Sequence, residues 1–149
     1  MIRHVAHDDP SAGPRVRFRV DFGKQCSVGV GKIELLEGIA RTGSLSQAAR
    51  EMRMSYRRAW LLLDDLNHSF DSAVARTSTG GSGGGGAVLT PFGEQLVQGY
   101  RKLEASLEPL AHRHLSEASR HLMRGRARKA LQGASISARL KRDRNLGKS

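Results

Sequence analysis

The chain has 149 residues, enough to bury one modest core, and a formal net charge of +11. No run of eighteen apolar residues is present, which excludes a membrane-spanning helix, and Cys26 is the only cysteine, which excludes an internal disulfide and a Cys-based zinc site. The N-terminus "MIRHVAHDDPSAGPR" lacks the apolar core of a secretory signal, so a reducing cytoplasm is the expected compartment.

Residues 1–14 are polar, contain Pro10 and Pro14, and show no period, so disorder is expected there. "RVRFRVDF" then alternates, with Val16, Phe18, Val20 and Phe22 on one face and Arg15, Arg17, Arg19 and Asp21 on the other: a half-buried strand. "GKQCSVGVG" reads as a loop. From Lys32 the period becomes helical, with Ile33, Leu36, Ile39 and Ala40 on one stripe and a stop at Thr42-Gly43. Ser44 is a good N-cap for a second helix, and Gln47 three residues later completes a capping box. Leu45, Ala48 and Ala49 give that helix a small apolar face that permits close packing. Ser55 caps a third helix with the stripe Ala59, Leu63, Leu66, Phe70. Two such helices, joined by about four residues with alanines at the contact, make a helix-turn-helix.

"AVART" and "AVLT" are short strand-like flanks around a tract with six glycines between Gly80 and Gly86, a pattern that predicts a β-hairpin. A long helix follows, with Thr90 as N-cap and Pro91 at its first position. Leu96, Tyr100, Leu103, Leu107, Leu110 and His114 recur on it at heptad spacing, the seam expected of a dimerisation helix. Pro109 interrupts the seam, so a kink or restart is expected near Leu107–Pro109. Beyond about residue 123 a basic, disordered tail is expected. Residues 120–149 hold ten Lys/Arg against Asp143 alone, a net of +9, which leaves +2 of the +11 for residues 1–119. Such a tail favours a polyanion: DNA, RNA or an anionic membrane surface.

Catalytic readings find little support. The glycine tract is followed by Ala87-Val88, where a Walker loop needs Lys-Ser/Thr, and no βαβ unit precedes it for a dinucleotide fold. His112 and His114 are two apart on a helix, the wrong spacing for one metal-binding face. Glu34/Glu37 and Asp64/Asp65 read as solvated helix faces. No enzyme, cofactor or metal site is expected.

DNA recognition fits better. The N-terminal turn of a recognition helix reaches base edges, and here it carries Ser55, Tyr56, Arg57 and Arg58, followed by Trp60. The arginines suit phosphate or bidentate guanine O6/N7, and Ser55 and Tyr56 can donate to phosphate. Trp60 lies one step off the core stripe, which leaves it either packed under the strand or flanking the DNA. A hairpin after that helix is placed as a wing, and Gly81, Ser82, Gly83 and Gly84 at its tip let backbone N–H groups approach phosphates.

The segments "TGSLSQAAREMRMSYRRAW", "LLDDLN" and "TGGSGGGGAVLTPFGEQLVQGY", within about 31–103, resemble the N-terminal winged-helix domain of the ModE family of molybdate-responsive transcription regulators. More distantly they resemble the DNA-binding domain of LysR-type regulators. The resemblance implies a helix at Ser46–Met52, recognition from Ser55 to Trp60, a wing from Arg76 to Leu89, and dimerisation through the helix after Pro91. On it, Ser46, Gln47 and Arg76 join the DNA contacts. Molybdate-sensing members of the family carry oxyanion-binding domains after this helix, where the present chain has a short basic tail, so molybdate sensing within it is not expected. Ser82 stands where the family wing usually has a lysine.

The expected fold is therefore mainly α with a small β part: a winged helix-turn-helix over residues 15–122, its dimerisation helix at 91–122. The expected function is a homodimeric transcriptional regulator on a pseudo-palindromic DNA site. The rival is a winged-helix protein-interaction module whose basic tail binds nucleic acid non-specifically.

Overall fold

A computed structural model describes residues 13–79 and 85–122. The N-terminal extension to residue 12, the glycine tip 80–84 and the basic tail from 123 lie outside these residues. The described elements are β1 (Arg19–Phe22), β2 (Cys26–Gly29), α1 (Val30–Thr42), α2 (Leu45–Glu51), α3 (Tyr56–Ser69), β3 (Ala75–Thr77), β4 (Ala87–Leu89) and α4 (Pro91–Arg120). They form a mainly helical winged helix-turn-helix with two small antiparallel ribbons. Of the two units into which the chain divides, Val16–Pro109 holds the elements from β1 to the first part of α4.

The alternating segment keeps its two faces at Val16, Phe18 and Val20, half-buried between exposed arginines, but Phe22, expected on the same buried face, is 47% exposed, and the ladder covers only β1. Its partner corrects the expected loop. Residues 23–25 form a turn with Gly23 at φ +65, and Cys26–Gly29 return as β2, pairing Arg19 with Gly29 and Phe22 with Cys26. Four residues are too few to display a period of two, yet Cys26 and Val28 point into the core.

The core is built on α1, whose Ile33, Leu35, Leu36 and Ile39 are fully buried. Leu35 is inside and Ala40 exposed, the reverse of the single stripe expected, because α1 is covered by α2, α3 and both ribbons and so buries more than one face. Gly43 ends α1 in the left-handed region at φ 66, its N–H bonded to the Ile39 carbonyl at 2.8 Å. The small face of α2 does what small faces permit. A Cβ on Gly38 would stand 3.0 Å from that of Ala48, so α1 and α2 are nearly in backbone contact.

Both predicted caps form. Ser44 Oγ accepts from the Gln47 N–H at 3.3 Å and Ser55 Oγ from the Arg58 N–H at 3.2 Å. The reciprocal half of the capping box goes to a different residue, since the Ser44 N–H donates to Thr42 Oγ1. Ala59, Leu63 and Leu66 of α3 are buried as spaced, with Phe70 partly so. Pro109 does not restart the last helix: α4 runs from Pro91 to Arg120 with Pro109 inside it. A proline removes one hydrogen-bonded rung, and the turns on either side of it remain helical.

Candidate nucleic-acid interface

The turn between α2 and α3 sets the site. Met54 N–H bonds to the Ala49 carbonyl and Arg53 N–H to that of Arg50, and Arg53 lies at φ 54. A left-handed arginine costs about 1–2 kcal/mol that glycine would avoid. The turn delivers the chain to Ser55, whose hydroxyl caps α3 while the residues after it face solvent.

Tyr56, Arg57, Arg58 and Trp60 are all exposed, Tyr56 at 55% and Trp60 at 44%. Trp60 is therefore not packed under the strand; it stands one turn beyond Tyr56 on the open side of α3. Neither arginine has an ion-pair partner among the described residues, and no acid lies in the first turn. That is unfavourable for α3 itself, because the N-terminal end of a helix carries positive charge and favours Asp or Glu. The acids of α3, Asp64 and Asp65, lie further along it, and Asp65 is bonded to Lys32 of α1. The charge order along the helix thus runs against its dipole and leaves cations where the helix-turn-helix is open.

The same surface continues onto α2. Ser46 and Gln47 are exposed, and so are Arg50 and Arg53, two cations that sequence reasoning passed over. Spacing alone could have found Arg50, which follows Ser46 and Gln47 by four and three residues. Arg53 gave no signal, since its conformation comes from the turn. Glu51 is the one acid between residues 41 and 63, and it pairs with Arg41. Those residues hold five arginines (41, 50, 53, 57 and 58), so their net charge is +4.

Arg76 is exposed on β3, opposite the exposed Val88 of β4, with no ion pair among the described residues. The ribbon that carries it is held at its base. Ala87 N–H bonds to the Gly43 carbonyl, and Thr90 holds the entry to β3 with its N–H on the Val74 carbonyl and its hydroxyl on that of Ala73. Ser78 N–H to the Gly86 carbonyl at 2.9 Å is the outermost described rung. Gly81, Ser82, Gly83 and Gly84, the expected tip contacts, lie outside the described residues.

The expected seam is divided. Leu103 and Leu110 are 42% and 43% exposed, and Leu96 and Leu107 are half-buried. Tyr100 is a correction: it belongs to the core of its own chain. Its ring stacks on Phe18 with centroids 4.4 Å apart, and its hydroxyl donates to the Phe18 carbonyl at 2.7 Å. Burial, reinforced by the nearby Glu104, pushes its pKa above the ordinary tyrosine value. Beside it Arg101 grips Glu37 of α1 with two bonds of 2.7 Å and Glu104 with a third, which raises the guanidinium's already high pKa further. A shallow apolar hollow of about 230 Å³ lies between the first ribbon and α4, with Val20, Phe22, Leu96 and Leu103 along it.

Comparison with known proteins agrees with this geometry. Residues 30–94 match the model of the bacterial regulatory helix-turn-helix proteins of the lysR family. The chain is 43% identical over 83 residues to the molybdenum-pterin-binding protein MopB of Rhodobacter capsulatus, covering 56% of this chain and 31% of that protein. It is 44% identical over 69 residues to the DNA-binding transcriptional dual regulator ModE of Escherichia coli K12, covering 46% and 26%. To the molybdenum transport protein ModE of Herbaspirillum seropedicae it is 40% identical over 79 residues, covering 53% and 29%. The match thus spans a third or less of the length of these relatives. Over that shared stretch the chain is similar to these proteins and to the lysR-family helix-turn-helix model, and its fold there is a winged helix-turn-helix.

Proposed function

We propose that the chain is a transcriptional regulator that binds a pseudo-palindromic DNA site as a homodimer. The observation that carries this reading is the pair Arg57 and Arg58, exposed and without ion-pair partners among the described residues, at the capped start of α3, where they oppose that helix's own dipole. Such an arrangement is compensated when an external polyanion supplies the missing negative charge. Tyr56, Arg57, Arg58 and Trp60 enter the major groove, Ser46, Gln47 and Ser55 hold the neighbouring phosphates, and Arg76 with the wing tip 81–84 follows the flanking backbone. The reading domain extends over 15–122, and the basic tail adds affinity without sequence preference.

Self-association is supported by the apolar side chains that α4 and the first ribbon leave open: Phe22, Leu103 and the half-buried Leu96 around the hollow, with Leu107 and Leu110 further along the helix. Tyr100 stands behind this face as its support. No described helix is long and apolar enough to cross a membrane, and a cytoplasmic regulator of transcription by steric or architectural means is the role proposed.

The test is selection of bound sequences from random duplexes by the purified chain at near-physiological salt. The expected result is an enriched palindrome with half-sites ~34 Å, one helical turn, or a multiple apart. Binding without a motif that vanishes as salt rises would overturn it in favour of a protein-interaction module with a non-specific basic tail.

A further inference from the structure

Resting on the DNA-binding reading above, the structure assigns Asn67 as a positioning residue that fixes the wing to the recognition helix, so that Arg76 meets phosphate while Arg57 and Arg58 are in the groove. Asn67 is not among the DNA contacts; it lies on α3 about three turns past Tyr56. Its carboxamide is used at both ends. Oδ1 accepts from the Val74 N–H at 2.8 Å and from the Ala75 N–H at 3.3 Å, and Nδ2 donates to the Ala75 carbonyl at 3.0 Å. A primary amide has the donor and acceptor of a peptide unit. Asn67 therefore stands where a third strand would pair with β3, and Arg76 is the next residue along that strand.

The two residues it holds are among the most buried in the molecule, Val74 at 0% and Ala75 at 1% exposure. Without Asn67 the two N–H groups it holds would be left buried without that acceptor, and the strand would have to shift to recover partners. The other ties of the ribbon reach different elements: Ala87 is bonded to the α1–α2 corner, and Thr90 to the residues before β3. Among the described hydrogen bonds, those of Asn67 are the ones that run from the recognition helix to the wing. They couple the two proposed DNA-contacting elements directly, through groups that do not themselves face DNA.

The experiment uses the full chain and the duplex enriched by selection, with Asn67→Leu, which removes all three bonds while keeping the same heavy-atom branching, and Asn67→Asp, which keeps the acceptor and loses the donor. Binding is measured across a salt series, alone and combined with Arg76→Ala, and amide exchange is followed at Val74 and Ala75. For Asn67→Leu the expected result is an affinity about tenfold lower, a log–log salt slope smaller by about one, and a largely unchanged preference for the selected sequence over a scrambled one. Val74 and Ala75 lose protection, Arg76→Ala costs little more in that background, and Asn67→Asp falls between it and the wild type. A merely structural residue would lower Tm and leave the slope alone. The inference is overturned if Asn67→Leu, or Asn67→Asp should the leucine variant not fold, keeps the wild-type slope, or if Arg76→Ala costs as much in the variant as in the wild type. A wild-type chain that binds no duplex overturns the DNA-binding reading itself; a wild-type chain that binds while the Asn67 variants behave like it overturns this inference alone.

Discussion

At the start of α3, Arg57 and Arg58 stand exposed at the positive end of a helix with no acid in its first turn, while on α4 Arg101 is clasped by Glu37 and Glu104 with three bonds of 2.7 Å. The residue type is the same and the surroundings are opposite. Around Arg101 the chain satisfies its own charge and ties α4 to α1, with Tyr100 stacked on Phe18 alongside. Around Arg57 and Arg58 the described residues leave charge unmatched where matching would be locally favourable. Within one small fold, then, the cation that ties two helices together and the cations proposed to meet DNA differ in what lies within 4 Å of them among the described residues, not in residue type.

The sharpest way to test that contrast is charge reversal on each side. Arg57→Glu should weaken binding to the selected duplex by about 2–3 kcal/mol, losing one groove contact and adding repulsion. The same substitution should raise thermal stability slightly, by ~0.5 kcal/mol, because a carboxylate suits the start of α3. Loss of both affinity and stability would break the comparison, since it would make Arg57 a structural residue. Arg101→Ala should behave in the opposite manner: denaturant unfolding should show about 1–2 kcal/mol lost, because Glu37 and Glu104 lose their partner in a partly shielded position.

Tyr100→Phe preserves the stack on Phe18 and removes the hydroxyl bond, for an expected cost of about 1 kcal/mol at neutral pH. The pH dependence sharpens it. Burial holds the folded tyrosine's pKa above its unfolded value of 10.0, so the folded state keeps its proton longer. The hydroxyl's contribution is then complete below pH 10 and is lost as pH rises through the raised value. Unfolding midpoints measured from pH 8 upward should fall less steeply in Tyr100→Phe than in the wild type, and equal slopes would remove Tyr100 from the core account. The smallest effect is expected at Arg53, where Arg53→Gly should gain up to about 1 kcal/mol of stability by relieving the left-handed φ of 54. If Arg53 also lies on the DNA face, the gain will come with weaker duplex binding at low salt.

Much of this molecule could be read along the chain because the relevant physics is local. The caps at Ser44 and Ser55 act over three residues, the apolar stripe of α3 over four, and the alternation from Arg15 to Phe22 over two, so each is visible in a short window. The adjacent arginines after Ser55 were legible as a candidate contact for the same reason: once the cap is placed, their position on the helix follows. What eluded the sequence depends on partners far away in the chain. Residues 26–29 are a strand because β1 lies across a turn from them, and four residues carry too little periodicity to announce it. Leu35 is inside and Ala40 outside because several elements converge on α1, which a one-stripe helix model does not include.

Tyr100 keeps heptad spacing with Leu96 and Leu103, and spacing cannot distinguish a seam facing another molecule from a core facing one's own strand. The deciding bond joins residues 82 apart. Asn67 is the extreme case. In the sequence it is a polar residue near the end of a helix, and only the return of the chain at Val74 and Ala75 gives its amide two donors and a carbonyl to hold. The sequence by itself determined the helices, their caps and the placement of unmatched positive charge, because each depends on neighbours within a turn or two. The tertiary structure alone decided the second strand, the inward tyrosine and the tie from recognition helix to wing, because those depend on which distant backbone groups meet.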